Sequence, residues 1–190
     1  MRSRLTALAV CLWAAGLAGG FAAWMEYDTT PGASAKVHGT IQESETARFR
    51  LVMFAHPHCP CTRAGLEELE RIAGDFPQTE TTVFFCKPTD AIGPEWDAAK
   101  SPADFVQVQS KWDDGCLEAK RCGATTSGHL LLFHPDGTLV FSGGITRARG
   151  YVGESIGSQA IRLRLQGETR ELQHTAVFGC PLHDSQNSDS

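Results

Sequence analysis

The sequence predicts an α/β domain, a mixed sheet covered by helices on both faces, preceded by an N-terminal transmembrane helix. Three observations carry this expectation. Strand-like and helix-like segments alternate, then give way to a hairpin and a closing helix. An apolar run, Leu51 to Phe54, leads into a turn with two cysteines and from there into a helical pattern. An uncharged stretch, Leu5 to Met25, stands behind Arg2 and Arg4 and ahead of Glu26 and Asp28.

The totals set the frame. A chain of 190 residues accommodates one domain with appendages. A net charge of -5, with no basic stripe, argues against nucleic acid as a partner. Seven cysteines exceed what a reduced cytosolic chain usually carries and suit an exported one.

Within Leu5–Met25 only Thr6 breaks the apolar character, and the run is long enough to span a bilayer as a helix. The arginines before it keep the N-terminus cytoplasmic and send the remainder to the extracytoplasmic (periplasmic) side. A retained anchor over 1–25 is the expectation, and a cleaved signal segment is its rival. Cys11, inside the run, reads as a small apolar residue. Residues 26–47 carry Thr-Thr-Pro-Gly-Ala-Ser and then polar residues without periodicity, as a linker does.

The domain itself is expected over 48–167. Arg48 to Ala55 ends in a continuous apolar run, as a central strand covered on both faces would. Cys61 to Gly74 is a helix, with Glu67, Glu68, Glu70 and Arg71 on its wet side. Thr79 to Cys86, rich in β-branched and aromatic residues, is the second strand. Residues 89–104 form a loop with a short helix over 95–100, and the alternation from Phe105 to Gln109 suggests a short strand. Asp113-Asp114-Gly115 is a turn, followed by a short helix from Cys116 to Arg121 closed by Gly123. His129 to His134 and Thr138 to Ser142 form a hairpin around Pro135-Asp136-Gly137. Gly143 to Gly150 is a glycine-rich loop with Arg147 and Arg149. Ser155 to Gln166 is the closing helix, with Ile156, Ile161, Leu163 and Leu165 as its apolar positions. An extension over 168–190 carries Cys180 and ends in a polar tail expected to be disordered.

Strand, cysteine turn and helix at 51–73, Asp114-Gly115-x-x-x-Ala119-x-x-x-Gly123, and the hairpin Leu130 to Gly137 together resemble the thioredoxin-like superfamily, in its membrane-tethered, extracytoplasmic branch. A narrower resemblance, to the RedB-like proteins, rests on His56-Pro57-x-Cys59-Pro60-Cys61, Thr126-Ser127-Gly128, Gly143-Gly144-Ile145-Thr146 with Arg149-Gly150, and Phe178-Gly179-Cys180. The resemblance implies thiol–disulfide exchange with a protein dithiol or disulfide partner and no cofactor. Two departures stand out. The superfamily usually places two residues between its cysteines, and here there is only Pro60. If Cys61 matches the second cysteine, His58 stands at the nucleophile's position; if Cys59 is the nucleophile, the turn is one residue shorter. Gly128 stands where the superfamily has a cis-proline facing the site.

Exchange needs a thiolate attacker, a leaving thiolate and a nearby resolving thiol. Cys59 and Cys61, at a helix start, are the candidate catalytic pair, with Cys59 as the more exposed attacker. Cys180 is a possible resolving thiol, and it could equally pair with one of Cys86, Cys116 and Cys122. A structural disulfide is expected among those three. His56 and His58 could stabilise a thiolate as imidazolium neighbours, Pro60 shapes the turn, Arg63 adds positive charge to the first helical turn, and Arg149 could approach the thiols from its loop. Two readings compete. His58, Cys59 and Cys61, joined by His56 or by Cys180 and His183, offer soft ligands for copper or zinc, although their spacing matches no common zinc module. Alternatively, the cysteines merely hold the loop of an inactive interaction domain.

Overall fold

The computed structural model describes residues 2–33, 47–89, 91, 108–169 and 171–183. The expected helix over 95–100, the start of the strand at Phe105, most of the linker and the tail at 184–190 lie outside these residues. The chain divides into two compact units, Met1–Thr30 and Pro31–Ser190.

The first unit is one helix, α1 (Arg2–Thr29). Within Ser3–Thr29 an 18-residue window has a mean hydropathy of 1.8, and the large apolar side chains of the helix are exposed. By length and composition it is able to cross a membrane. At its end the Thr29 and Thr30 hydroxyls donate to the carbonyls of Met25 and Glu26, filling acceptors that the last turn leaves open.

The second unit is built on a six-stranded sheet. Its elements are β1 (Arg50–Ala55), α2 (Pro60–Asp75), β2 (Glu80–Lys87), β3 (Gln109–Asp114), α3 (Leu117–Arg121), β4 (His129–Phe133), β5 (Leu139–Gly143), α4 (Ile156–Leu165) and β6 (Gln173–His174). The strand order is β3-β2-β1-β4-β5-β6. β1 runs parallel to β2, β2 parallel to β3, β4 antiparallel to both β1 and β5, and β6 parallel to β5.

β1 is central and every residue from Leu51 to Ala55 is buried. Alternate side chains therefore meet two different cores. Leu51, Met53 and Ala55 join Leu66, Leu69 and Ile72 of α2 and Ala160, Ile161 and Leu165 of α4. Val52 and Phe54 join Ala119 of α3, Cys86, Cys116, Cys122 and Leu182. Helices thus lie on both faces, as the apolar run in β1 requires.

Several expectations shift. The pair Asp113-Asp114 ends β3 rather than forming a turn, because Asp113 is buried beside Cys86 and its carboxylate accepts the N–H groups of Glu118 and Ala119 that open α3. Glu68 is not on the wet side of α2. It is buried, with Arg71 at 3.2 Å and Arg162 of α4 at 3.6 Å supplying the positive charge a buried carboxylate needs. On α4, Ile156 is 74% exposed while Arg164 is buried. The Arg164 guanidinium donates to the Val140 carbonyl at 2.7 Å, to Ala160 and Gln173, and to the Glu171 carbonyl, so it fastens the extension to the sheet. That extension contributes β6, a two-residue strand with no periodic signature in the sequence. The disulfide among the middle cysteines is Cys86–Cys116, and Cys122 is a buried free thiol.

Candidate functional site

The site begins where β1 stops. The His56 N–H donates to the Ser127 hydroxyl at 2.7 Å, and the Cys59 N–H turns back to the His56 carbonyl at 3.1 Å. Cys59 is extended (φ -83°, ψ 114°) and serves as the N-cap of α2, with Pro60 at the first helical position. Proline suits that position because its missing N–H would have had no helical partner. The Cys59 sulfur consequently sits at the positive end of a helix of four turns or more, which favours a thiolate.

The opposite wall comes from two segments far apart in sequence. Gly128 has φ +91° and donates its N–H to the Phe54 carbonyl at 2.8 Å. Proline meets neither condition, since its φ is fixed near -65° and it has no N–H. Glycine here is therefore a local requirement of this loop, and no cis peptide occurs among the described residues. Against residues 125–127 lies the extension. Thr126 and Pro181 form an antiparallel bridge, the Ser127 N–H donates to the Cys180 carbonyl at 2.8 Å, and the Leu182 N–H donates to the Thr125 carbonyl at 2.9 Å. Gly179 makes this approach possible, because a Cβ there would fall 1.9 Å from the Ser127 carbonyl oxygen.

This pairing places the Cys180 sulfur 2.9 Å from the Cys59 sulfur. Burial pushes the Cys59 thiol up, but hydrogen bonds from the Cys180 thiol, the Thr62 hydroxyl and the backbone at both residues outweigh it and bring it down to about 7. Thr62 is itself aligned by a 2.6 Å hydrogen bond shared with Ser127. Cys180 is pushed up to about 12 by burial, then by its hydrogen bond to Cys59 and the charges of Cys59 and Cys61. Cys61 is raised by burial and by the Cys59 charge, against a lowering hydrogen bond with Arg149. Arg149 also donates to the Gly179 carbonyl, so one guanidinium links Cys61 to the extension.

Cys59, Cys61, Cys180 and Arg149 thus converge. The exposures of the pair are the reverse of the expected order. Cys59 is buried, at 5%, and Cys61 is the more exposed. The reason is that Cys59 caps the helix beneath the extension whereas Cys61 lies within the first turn. Cys59 nevertheless lines a cleft of 580 Å³ together with Pro57, His58, Leu66 and Phe85. The surroundings of His56 work against its imidazolium form. Burial and then the neighbouring His58 lower its pKa, and its Nδ1 accepts the His58 N–H at 3.2 Å. Arg63 points into solvent, 88% exposed, 3.8 Å from Glu67. His183 is engaged with the Ala124 carbonyl at 3.2 Å. Among the described residues, no group of three or more His, Cys, Asp or Glu side chains is arranged to hold a metal ion. Thr62 and Ser127, which tune and orient Cys59, escaped the sequence reading as individual residues; the available signal was the Thr126-Ser127-Gly128 run.

No protein-family model and no curated protein matches the chain. Solved structures do. An uncharacterized conserved protein from Geobacillus kaustophilus aligns with a TM-score of 0.61 at 19% identity, over 85% of this chain and 92% of that one. A hypothetical protein from Sinorhizobium meliloti 1021 aligns with a TM-score of 0.57 at 16% identity, over 84% and 99%. A thioredoxin-like protein from Aeropyrum pernix aligns with a TM-score of 0.47 at 11% identity, over 84% and 99%. Strand order and the thiol turn between the central strand and its following helix make this a thioredoxin-like fold.

Proposed function

We propose that this chain is a membrane-tethered, extracytoplasmic thiol–disulfide oxidoreductase acting on a protein dithiol or disulfide, with Cys59 as its nucleophile. The observation that carries the reading is the Cys59 thiol held near pH 7 at a helix N-terminus, with further thiols beside it. A thiolate attacks, and a thiol of low pKa leaves readily, so a group titrating near neutrality serves both directions of exchange. Helix α1 supplies the tether, and Arg2 and Arg4 in its first turn, ahead of the apolar run, set the sidedness. Exposure does not select Cys59 over Cys61; charge stabilisation and the adjoining cleft do. The test is single-turnover reduction of a disulfide-containing peptide by the reduced full chain in detergent. Cys59→Ser is expected to lower the rate at least a hundredfold. An unchanged rate in that variant overturns the reading.

A further inference from the structure

We infer that the disulfide made and broken in this site joins Cys59 to Cys180, across the turn and the C-terminal extension, rather than closing within Cys59-Pro60-Cys61. The inference rests on the exchange reading above and adds the identity of the resolving thiol.

The geometry favours the long-range pair. The two sulfurs already lie 2.9 Å apart. Cys180 is held in place on both sides of its own position: Gly179 by Arg149, Cys180 by the Ser127 N–H, Pro181 by its bridge with Thr126, and Leu182 by the Thr125 carbonyl. Further along, the Leu182 carbonyl rests against the Cys86–Cys116 disulfide, with sulfurs at 3.2 and 3.7 Å. The resolving thiol is thus braced by a second, buried disulfide. Cys61 also reaches Cys59, with a side-chain hydrogen bond to it and another to Arg149, but it stands in the first turn of α2 and lacks the backbone bracing that fixes Cys180. Closing Cys59 to Cys61 would bend the first turn and disturb the Thr62 N–H bond to the Cys59 carbonyl.

The chemistry balances without a further reactant. The Cys59 thiolate attacks one sulfur of a partner disulfide, forming a mixed disulfide, and the partner's other sulfur leaves as a thiolate. Cys180 then attacks the Cys59 sulfur, its proton passing to the departing partner thiolate. The Cys59–Cys180 bond forms and the partner leaves fully reduced. Two electrons pass from Cys59 and Cys180 to the partner. The reverse sequence oxidises a partner dithiol. Arg149 is a positioning residue in this scheme, since it holds the Gly179 carbonyl one residue before the resolving thiol.

The test is disulfide mapping of the reduced full chain in detergent after one turnover with a disulfide-containing peptide. Free thiols are alkylated, and linked peptides are identified by mass spectrometry. The expected result is a Cys59–Cys180 link with Cys61 alkylated. In Cys180→Ser the peptide is expected to remain bonded to Cys59, with its release slowed at least tenfold. A Cys59–Cys61 link with Cys180 alkylated overturns this inference and leaves the exchange reading standing. No peptide adduct and no new link at Cys59, in wild type or variant, overturns the exchange reading itself. The wild-type map decides the matter even if Cys180→Ser folds poorly.

Discussion

Cys59 and Cys180 are chemically alike but ionise far apart, because the folded site gives the shared proton to one of them. Cys59 collects donors from Thr62 and Cys180, while Cys180 faces two other thiols in a partly buried position. Thiolate absorbance of the reduced chain, corrected with Cys59→Ser, is expected to rise with a midpoint near pH 7. An ordinary thiol would give a midpoint near 9. Thr62→Val removes one donor and is expected to move the midpoint upward. The sign for stability follows. A thiol whose folded pKa is depressed stabilises the reduced fold above its unfolded pKa, and that contribution is lost as pH falls from about 9 through about 7. His129 is a second titration signal. Burial, then the nearby His174, lowers its pKa to about 4, and its Nε2 is bonded to Ser142 at 2.9 Å. Between pH 6.5 and 4 the unfolded chain binds the proton that the folded chain refuses, so acidification through this window lowers stability. Calorimetric Tm values across it are expected to fall, and to fall less in His129→Gln.

At the scale of elements, the extension 171–183 is the decisive piece. It contributes β6, is fastened by Arg164, and lies along residues 125–127 with Gly179 against a carbonyl. Gly179→Ala places a methyl group into the Ser127 oxygen. Overpacking of this kind costs about 1–3 kcal/mol, and here it is expected to slow exchange as well, because it lifts Cys180. Thermal unfolding and turnover measured on the same sample check both effects. The sequence explains why this piece was hard to read. β6 is only Gln173–His174, too short for any periodicity, and its holding residue, Arg164, stands on a helix where a charged side chain normally marks the wet face. The central elements were legible for the opposite reason. β1 is an unbroken apolar run with one physical solution, burial on both faces, and the hairpin is fixed by Pro135-Asp136-Gly137. The cysteine turn was legible as chemistry. Its partner across 121 residues was a candidate that only the fold could bring to it.

For the whole molecule, the proposed tether and the proposed thiol site support each other, since a resting disulfide needs an oxidising compartment. The apolar helix over Ser3–Thr29 is expected to keep the chain in the membrane fraction after alkaline carbonate extraction. Terminal sequencing of that material is expected to begin within the first residues. A start after Met25 would show a cleaved signal segment instead. The buried Cys86–Cys116 bond is a different kind of disulfide from the one proposed at the site. It lies in the core behind Leu182 and is expected to stay closed under mild reductants that open the site. Thiol exchange at Cys59 is tested by a redox titration of the full chain in detergent, equilibrated across reduced and oxidised glutathione ratios and read by thiol mass tagging. Cys59 and one neighbouring thiol are expected to titrate together in a single two-electron step while Cys86 and Cys116 remain bonded. A Cys59 that stays fully reduced at every ratio would contradict exchange at this residue.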